Sequence, residues 1–294
     1  MNPSVLIAAL AAVILFGASP VATKIAIQGI PAMDVALLRT TIGGLIALPL
    51  ALFLGIRLPT TNHQRVLLLV SGFCGYIAFP ILFTLGVSLT SANHASMILA
   101  TLPMATGAIA LAWDRVPPRL RWIVGCSVAI AGELLLIFGA SASPGNHDGS
   151  QIIGDLVVLG SNLFAALGYV CGGRLQRLGY PARGTTFWGV ALFSLVTLPV
   201  LPWVLHTPEL FDAGLIPWSG IVYQAIGVTI IGYILWYWAL GSGGIARVGT
   251  LQFLQPVSGV LLAWFLLGES ISLMYTLASA VILLGVWIAM DDKP

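Results

Sequence analysis

Residues 232–241 read GYILWYWALG and residues 75–86 read GYIAFPILFTLG. On a helix Tyr233, Trp236, Tyr237 and Leu240 are spaced i, i+3, i+4, i+7 and share one face, as do Tyr76, Phe79, Pro80 and Phe83. Two such faces set opposite each other would wall a cavity for flat apolar side chains, each offset or edge-to-face contact contributing roughly 0.5–1.5 kcal/mol. They could also hold an ammonium group over a ring face. Interfacial belts are the plainer use of Trp and Tyr, and Trp113, Trp122, Trp203, Trp218 and Trp287, near expected helix ends, belong to that class.

A second set of candidate groups is polar. Gln252 and Gln255 precede Pro256, whose missing N–H and local kink can free a carbonyl, and Thr101 precedes Pro103 in the same way. Together with Asn162 these groups suit a zwitterion, whose carboxylate takes donors and whose ammonium takes acceptors. Ser19, Asn93 and His94 also fall inside apolar runs, where a polar group must face protein or water. Hydrogen bonding that merely holds helices together accounts for these residues equally well. Pro80, Pro103 and Pro256 are candidate hinges.

Charged candidates are few. Glu133 could exchange protons, although a structural partner is the simpler reading, and Lys24 lies close enough to a helix end to snorkel. Arg39 is expected to pair internally, with contact to a substrate carboxylate as the alternative. His94, near a helix start, is expected to be a hydrogen-bonded cap. Cys74, Cys126 and Cys171 show no CxxC spacing and suggest neither a disulfide framework nor a metal site. HExxH, GxSxG, GxGD and P-loop patterns are missing from the sequence, so neither an intramembrane enzyme nor an ATP-driven pump is expected, and no cofactor is implied.

The elements that must position these residues are membrane helices. The chain of 294 residues is 59% hydrophobic and 7% charged, with a mean hydropathy of +1.01, far above a soluble domain. Runs 248–268 and 270–290, apart from Glu269 between them, carry no Asp, Glu, Lys or Arg, and each has about the 20 residues that a span needs. Applied throughout, this rule predicts ten spans, at 4–28, 33–54, 64–88, 91–113, 120–140, 152–173, 184–205, 214–241, 245–267 and 271–290. Continuous apolar runs imply helices rather than barrel strands. The first is read as a retained helix, because it lacks a basic n-region and is too long for a signal peptide.

The polar stretch SASPGNHDGSQ at 141–151 divides the chain into 1–145 and 146–294. An odd number of helices in each half turns the halves over, and Leu48-Pro49 recurs at Leu198-Pro199, Pro31 at Pro181, Pro103 at Pro256 and Gly132 at Gly285. The expected fold is an all-α membrane protein of two inverted five-helix repeats around a central cavity, the architecture of an alternating-access transporter. Except for Lys24 and Arg39, every Lys and Arg falls in an even-numbered loop, at the start of the span that follows one, or after the last span, which predicts cytoplasmic termini.

The segment LQPVSGVLLAWFLLGESIS at 254–272 resembles the second-half signature of the drug/metabolite transporter superfamily, EamA type, and VALLRTTIGGLIALP at 35–49 resembles its second helix. Val116 stands where the first half would repeat Glu269. Length and aromatic content are most similar to the bacterial aromatic amino acid exporters of YddG type. That resemblance implies an inner-membrane secondary exporter of aromatic and other neutral amino acids, with the lipid bilayer as surroundings, no nucleic-acid partner, and an oligomeric state left open with a monomer allowed. The expected substrate-contacting set is Tyr76, Phe79, Phe83, Thr101, Asn162, Tyr233, Trp236, Tyr237, Gln252 and Gln255. A multidrug or other small-metabolite exporter is the alternative, disfavoured because the first span has no Glu. Sugar-phosphate transport would need a cationic cluster facing the cavity, whereas Arg247 stands alone near the later helices.

Overall fold

The computed structural model describes residues 2–140, 149–268, 270–271 and 273–290, and among these there are helices and no strands. The helices are α1 Pro3–Ile27, α2 Ala32–Phe53, α3 Asn62–Leu89, α4 Ala92–Asp114, α5 Leu120–Ala140, α6 Gly149–Arg177, α7 Ala182–Leu205, α8 Leu215–Gly243, α9 245–267 and α10 Leu273–Met290, with one further turn at Pro208–Asp212. Seven of them, α1 to α4 and α6 to α8, are long and apolar enough to cross a membrane. A 3₁₀ segment interrupts α9.

Local chemistry sets the boundaries. Side chains of Asn2, Thr61 and Ser91 accept from the backbone N–H of Ser4, Gln64 and His94, satisfying donors that a helix start leaves free. Pro31 and Pro181 cap α2 and α7. Arg115 and Gly268 end α4 and α9 in the left-handed region, at φ 53° and 67°.

Two helix pairs are broken alike. A π segment interrupts α3 at Cys74–Ala78 and another interrupts α8 at Tyr223–Gly232. A 3₁₀ segment interrupts α4 at Leu99–Thr101 and α9 at Thr250–Leu254. Pro80, Pro103 and Pro256 each stand at the first turn of the α-helix that resumes after such a break, where a missing N–H is harmless. Extra residues in a π turn free carbonyls, and other helices satisfy them: Thr40 donates to Tyr76 O at 2.6 Å and Tyr233 to Gly75 O at 3.2 Å.

Helices pair as α5 with α10, α2 with α7, α4 with α9, α3 with α6 and α1 with α8. Small residues set the closest approaches, the usual means of packing helices in lipid. A Cβ on Gly125 would lie 2.4 Å from Gly285 O, one on Gly86 2.9 Å from Gly154 O, and one on Gly220 2.5 Å from Ala22 O. At one end of the bundle the α2–α3 and α6–α7 loops lock together, with Tyr180 donating to Arg57 O at 3.0 Å and Trp188 to Ile56 O at 2.9 Å. Burial pushes the Tyr180 phenol up to about 12, so it keeps its donating proton at neutral pH. Asp114 pairs with Arg174 at this end, and the guanidinium also covers the Trp113 ring at 4.7 Å. A hollow of about 830 Å³ lined by Lys24, Gln28, Thr90, Ser91 and Leu267 opens at the opposite end.

Candidate functional site

Both aromatic faces turn inward. Tyr76 on α3 meets Tyr233 on α8 with ring centroids 5.0 Å apart, and Phe79 stacks on Phe83 at 5.1 Å. Tyr233 also meets Tyr237 at 5.4 Å, Phe16 at 5.5 Å and Tyr169 at 5.7 Å, and Trp236 packs edge-on against Phe16 and Tyr169. Every one of these rings is buried. Polar tips tie the cluster to its scaffold, with the Tyr237 hydroxyl 2.9 Å from Ser71 Oγ. Close approach makes this possible: Gly172 leaves room for the Tyr237 ring, which a Cβ there would meet at 2.2 Å.

The sequence leads one to expect an open, ring-walled cavity. Instead the rings largely fill that space with one another, leaving a hollow of about 10 Å³ bordered by Phe16, Ser19, Phe79, Tyr169, Tyr233 and Gln255. A single water needs roughly 10–15 Å³ of such space, so no amino acid fits until the helices part. Phe16 and Tyr169 are members of the cluster that helical spacing around the GY segments does not reveal. Their only signal is an aromatic residue facing small neighbours in α1 and α6.

The polar candidates separate into distinct places. Gln255 reaches the hollow and its Oε1 has no partner, and Gln252 is fully buried with both amide atoms unpartnered. Asn162 lies elsewhere: its Nδ2 donates at 2.8 Å to Thr101 Oγ1 and to Ile98 O. Both Asn162 and Thr101 border an apolar groove of about 570 Å³ between α4, α5 and α6, with Met104, Leu159 and Leu163. Ser19 belongs to a buried group with Gln224 and Thr23, in which Gln224 Nε2 donates to Ser19 O at 2.8 Å and Thr23 Oγ1 at 2.6 Å. That network holds α1 against α8.

Among the described residues, Arg39 pairs with no carboxylate. It is 1% exposed, its Nε donates to Thr229 Oγ1 at 3.1 Å, its guanidinium lies 6.0 Å from the Phe79 ring, and neither terminal nitrogen has a partner. Ser91, not His94, caps α4: the His94 backbone N–H donates to Ser91 Oγ, while the His94 Nδ1 lies 3.1 Å from Asp155 Oδ2 and Thr90 Oγ1 donates to Asp155 Oδ1 at 2.6 Å. Asp155 escapes sequence reasoning, although an acid inside an apolar span is itself a signal. The side chains of Glu133 and Pro256, and all of Glu269, lie outside the described residues. Among the interfacial candidates Trp113, Trp203 and Trp287 are exposed, whereas Trp122 packs inward against Gly107 and Trp218 donates to Leu210 O at 3.3 Å. Among the described residues no cluster of His, Cys, Asp or Glu could hold a metal, and the three cysteines are free and buried.

This arrangement stacks flat apolar groups, offers amide and guanidinium partners to polar ones, and lacks an activated nucleophile among the groups just described. Comparison with known proteins agrees with a transport role. The model of the EamA-like transporter family matches residues 3–138 and again 152–290. The chain is 31% identical over 267 residues to the uncharacterized transporter YdeK of Bacillus subtilis (strain 168), covering 88% of this chain and 87% of that protein. It is 28% identical over 201 residues to a protein of Salmonella typhimurium named a probable amino-acid metabolite efflux pump, covering 64% and 63%. A solved crystal structure superposes with a TM-score of 0.73 at 20% identity over 98% of this chain and 97% of that one, which speaks for the fold alone. Span-forming helices, a buried ring cluster and a family match in each half make one conclusion: the chain belongs to the EamA-like transporter family and is a multi-pass membrane transporter.

Proposed function

We propose that this transporter is a secondary exporter of amino acids, aromatic and other neutral ones, which works by alternating access between two inverted five-helix repeats. The observation that carries the reading is the ring cluster on α3 and α8 with unpartnered polar groups beside it: Trp236 Nε1, the Gln252 amide and Gln255 Oε1. Buried polar atoms without partners are rare and call for an explanation, and a zwitterion with a flat side chain supplies both kinds of partner. The Salmonella relative's name points the same way.

Several features support a duplicated, inverted architecture of ten spans divided at 1–145 and 146–294. The family model matches twice. Exchanging α1 with α6 and α3 with α8 turns the α1–α8 pair into the α6–α3 pair, and both pairs exist. The π breaks, the 3₁₀ breaks and the left-handed caps at Arg115 and Gly268 recur in corresponding helices. Arg57, Arg174, Arg177 and Arg183 gather at the end where the α2–α3 and α6–α7 loops meet, which supports cytoplasmic termini in a bacterial inner membrane. In this reading the monomer is a complete transport unit.

Counterflow in proteoliposomes tests the reading with a panel of amino acids, sugar phosphates and quaternary amines. Exchange of phenylalanine and tryptophan is expected, and Trp236→Ala lowers it more than exchange of alanine. Equal loss for all amino acids assigns Trp236 to packing. The groove lined by Met104, Leu159 and Leu163 favours a second reading, an exporter of amphipathic drugs or metabolites, and exchange of quaternary amines without amino acids would establish it.

A further inference from the structure

We propose that Arg39 is the anchor for a carboxylate on the transported molecule, so that the protein selects organic acids and zwitterions over amines. The inference rests on the transport reading above and adds a specificity-determining residue to it.

Arg39 lies about two turns into α2 and is almost fully buried, yet among the described residues no acid neutralises it. A buried lysine can lose its proton to escape the cost of desolvation, whereas a guanidinium stays charged. What compensates it here is partial. Nε reaches Thr229, and the Phe79 ring lies 6.0 Å from the guanidinium carbon. The two terminal nitrogens remain unpartnered, and these form the planar fork that grips a carboxylate through two parallel bonds.

Position ties this fork to the central hollow. Phe79, whose ring lies 6.0 Å from the Arg39 guanidinium, walls the hollow together with Tyr169 and Tyr233, and Gln255 Oε1 on another wall is an unpartnered acceptor. Donors on one side and an acceptor on the other match the polarity of a zwitterion. At about 10 Å³ the hollow admits no substrate, so the fork is reached only when the Tyr76–Tyr233 contact opens. A carboxylate then supplies the anion that the protein itself lacks, and binding is coupled to opening because the empty fork is costly to desolvate.

Three probes with the same phenyl group separate the charges: L-phenylalanine, 3-phenylpropionate, which lacks the ammonium, and 2-phenylethylamine, which lacks the carboxylate. Ligand-induced shifts of the thermal unfolding midpoint are read on the full-length detergent-solubilised protein. Wild type is expected to respond to phenylalanine and 3-phenylpropionate but not to 2-phenylethylamine. In Arg39→Gln the half-saturating concentration of both carboxylates rises at least tenfold, and Arg39→Lys, which keeps the charge but not the fork, falls between. A response to 2-phenylethylamine equal to the others, no response to either carboxylate, or an undiminished response in Arg39→Gln overturns the proposal. The wild-type selectivity decides it even if a variant fails to fold. A response to 3-phenylpropionate alone refutes amino acid export while Arg39 keeps its role; undiminished phenylalanine binding in Arg39→Gln does the reverse.

Discussion

Gln252→Leu separates a substrate-binding amide from one that only holds helices together. The residue is 0% exposed, sits in the 3₁₀ break of α9, and neither amide atom has a partner. Burying an amide without hydrogen bonds costs about 1–3 kcal/mol on mutational evidence. Leucine is of similar size and carries no polar atom, so the substitution should stabilise the resting fold by about that amount. Transport should move the other way. A hydrogen bond to a charged group contributes about 1.5–3 kcal/mol, so losing one contact to carboxylate or ammonium weakens substrate binding by roughly 10- to 150-fold. The assay pairs thermal unfolding in detergent with counterflow of phenylalanine on the same preparations, and Gln252→Asn serves as a control that keeps an amide. A variant with a raised unfolding midpoint and failed transport agrees with the reasoning. A lowered midpoint with normal transport refutes it, because the amide would then be paired and structural.

Three further outcomes are expected. Tyr233→Phe, which removes the hydroxyl that donates to Gly75 O but keeps the ring, should cost about 1 kcal/mol of stability, and Tyr233→Ala, which empties the middle of the ring cluster, about 3–5 kcal/mol; equal midpoints for the two would mean that the rings contribute no packing energy. Gly125→Ala places a methyl group 2.4 Å from a backbone oxygen of α10, so it should lower the midpoint by the equivalent of about 1–3 kcal/mol, and a neutral result would show that α5 and α10 are farther apart. Asp155→Ala leaves Thr90 and His94 without their acceptor and should cost about 2–5 kcal/mol, with Asp155→Asn recovering part; no change in unfolding for Asp155→Ala would contradict the buried pairing.

What was legible in the sequence is local. Apolar run length places helices such as 33–54 and 184–205 within two residues of Ala32–Phe53 and Ala182–Leu205, and the i, i+3, i+4 spacing places Tyr233, Trp236 and Tyr237 on one buried face. The prolines mark the breaks, because a residue without an N–H suits the turn where an α-helix resumes. The α3 and α8 registers were not legible. Their π segments differ in length, 5 residues against 10, so no single offset aligns the two GY segments.

By itself, then, the sequence determined that this protein is helical and lipid-embedded and which rings share a helix face, since each of those properties depends on residues within a few turns of one another. Tertiary structure alone decided which polar groups are satisfied. Asn162 finds Thr101, 61 positions away, Asp155 finds His94 at the same separation, and Gln224 finds Ser19 from 205 away, while Arg39, Gln252 and Gln255 keep atoms without partners. A buried hydrogen bond needs two groups brought to about 3 Å, and helix packing, not the spacing of residues along one helix, sets that distance.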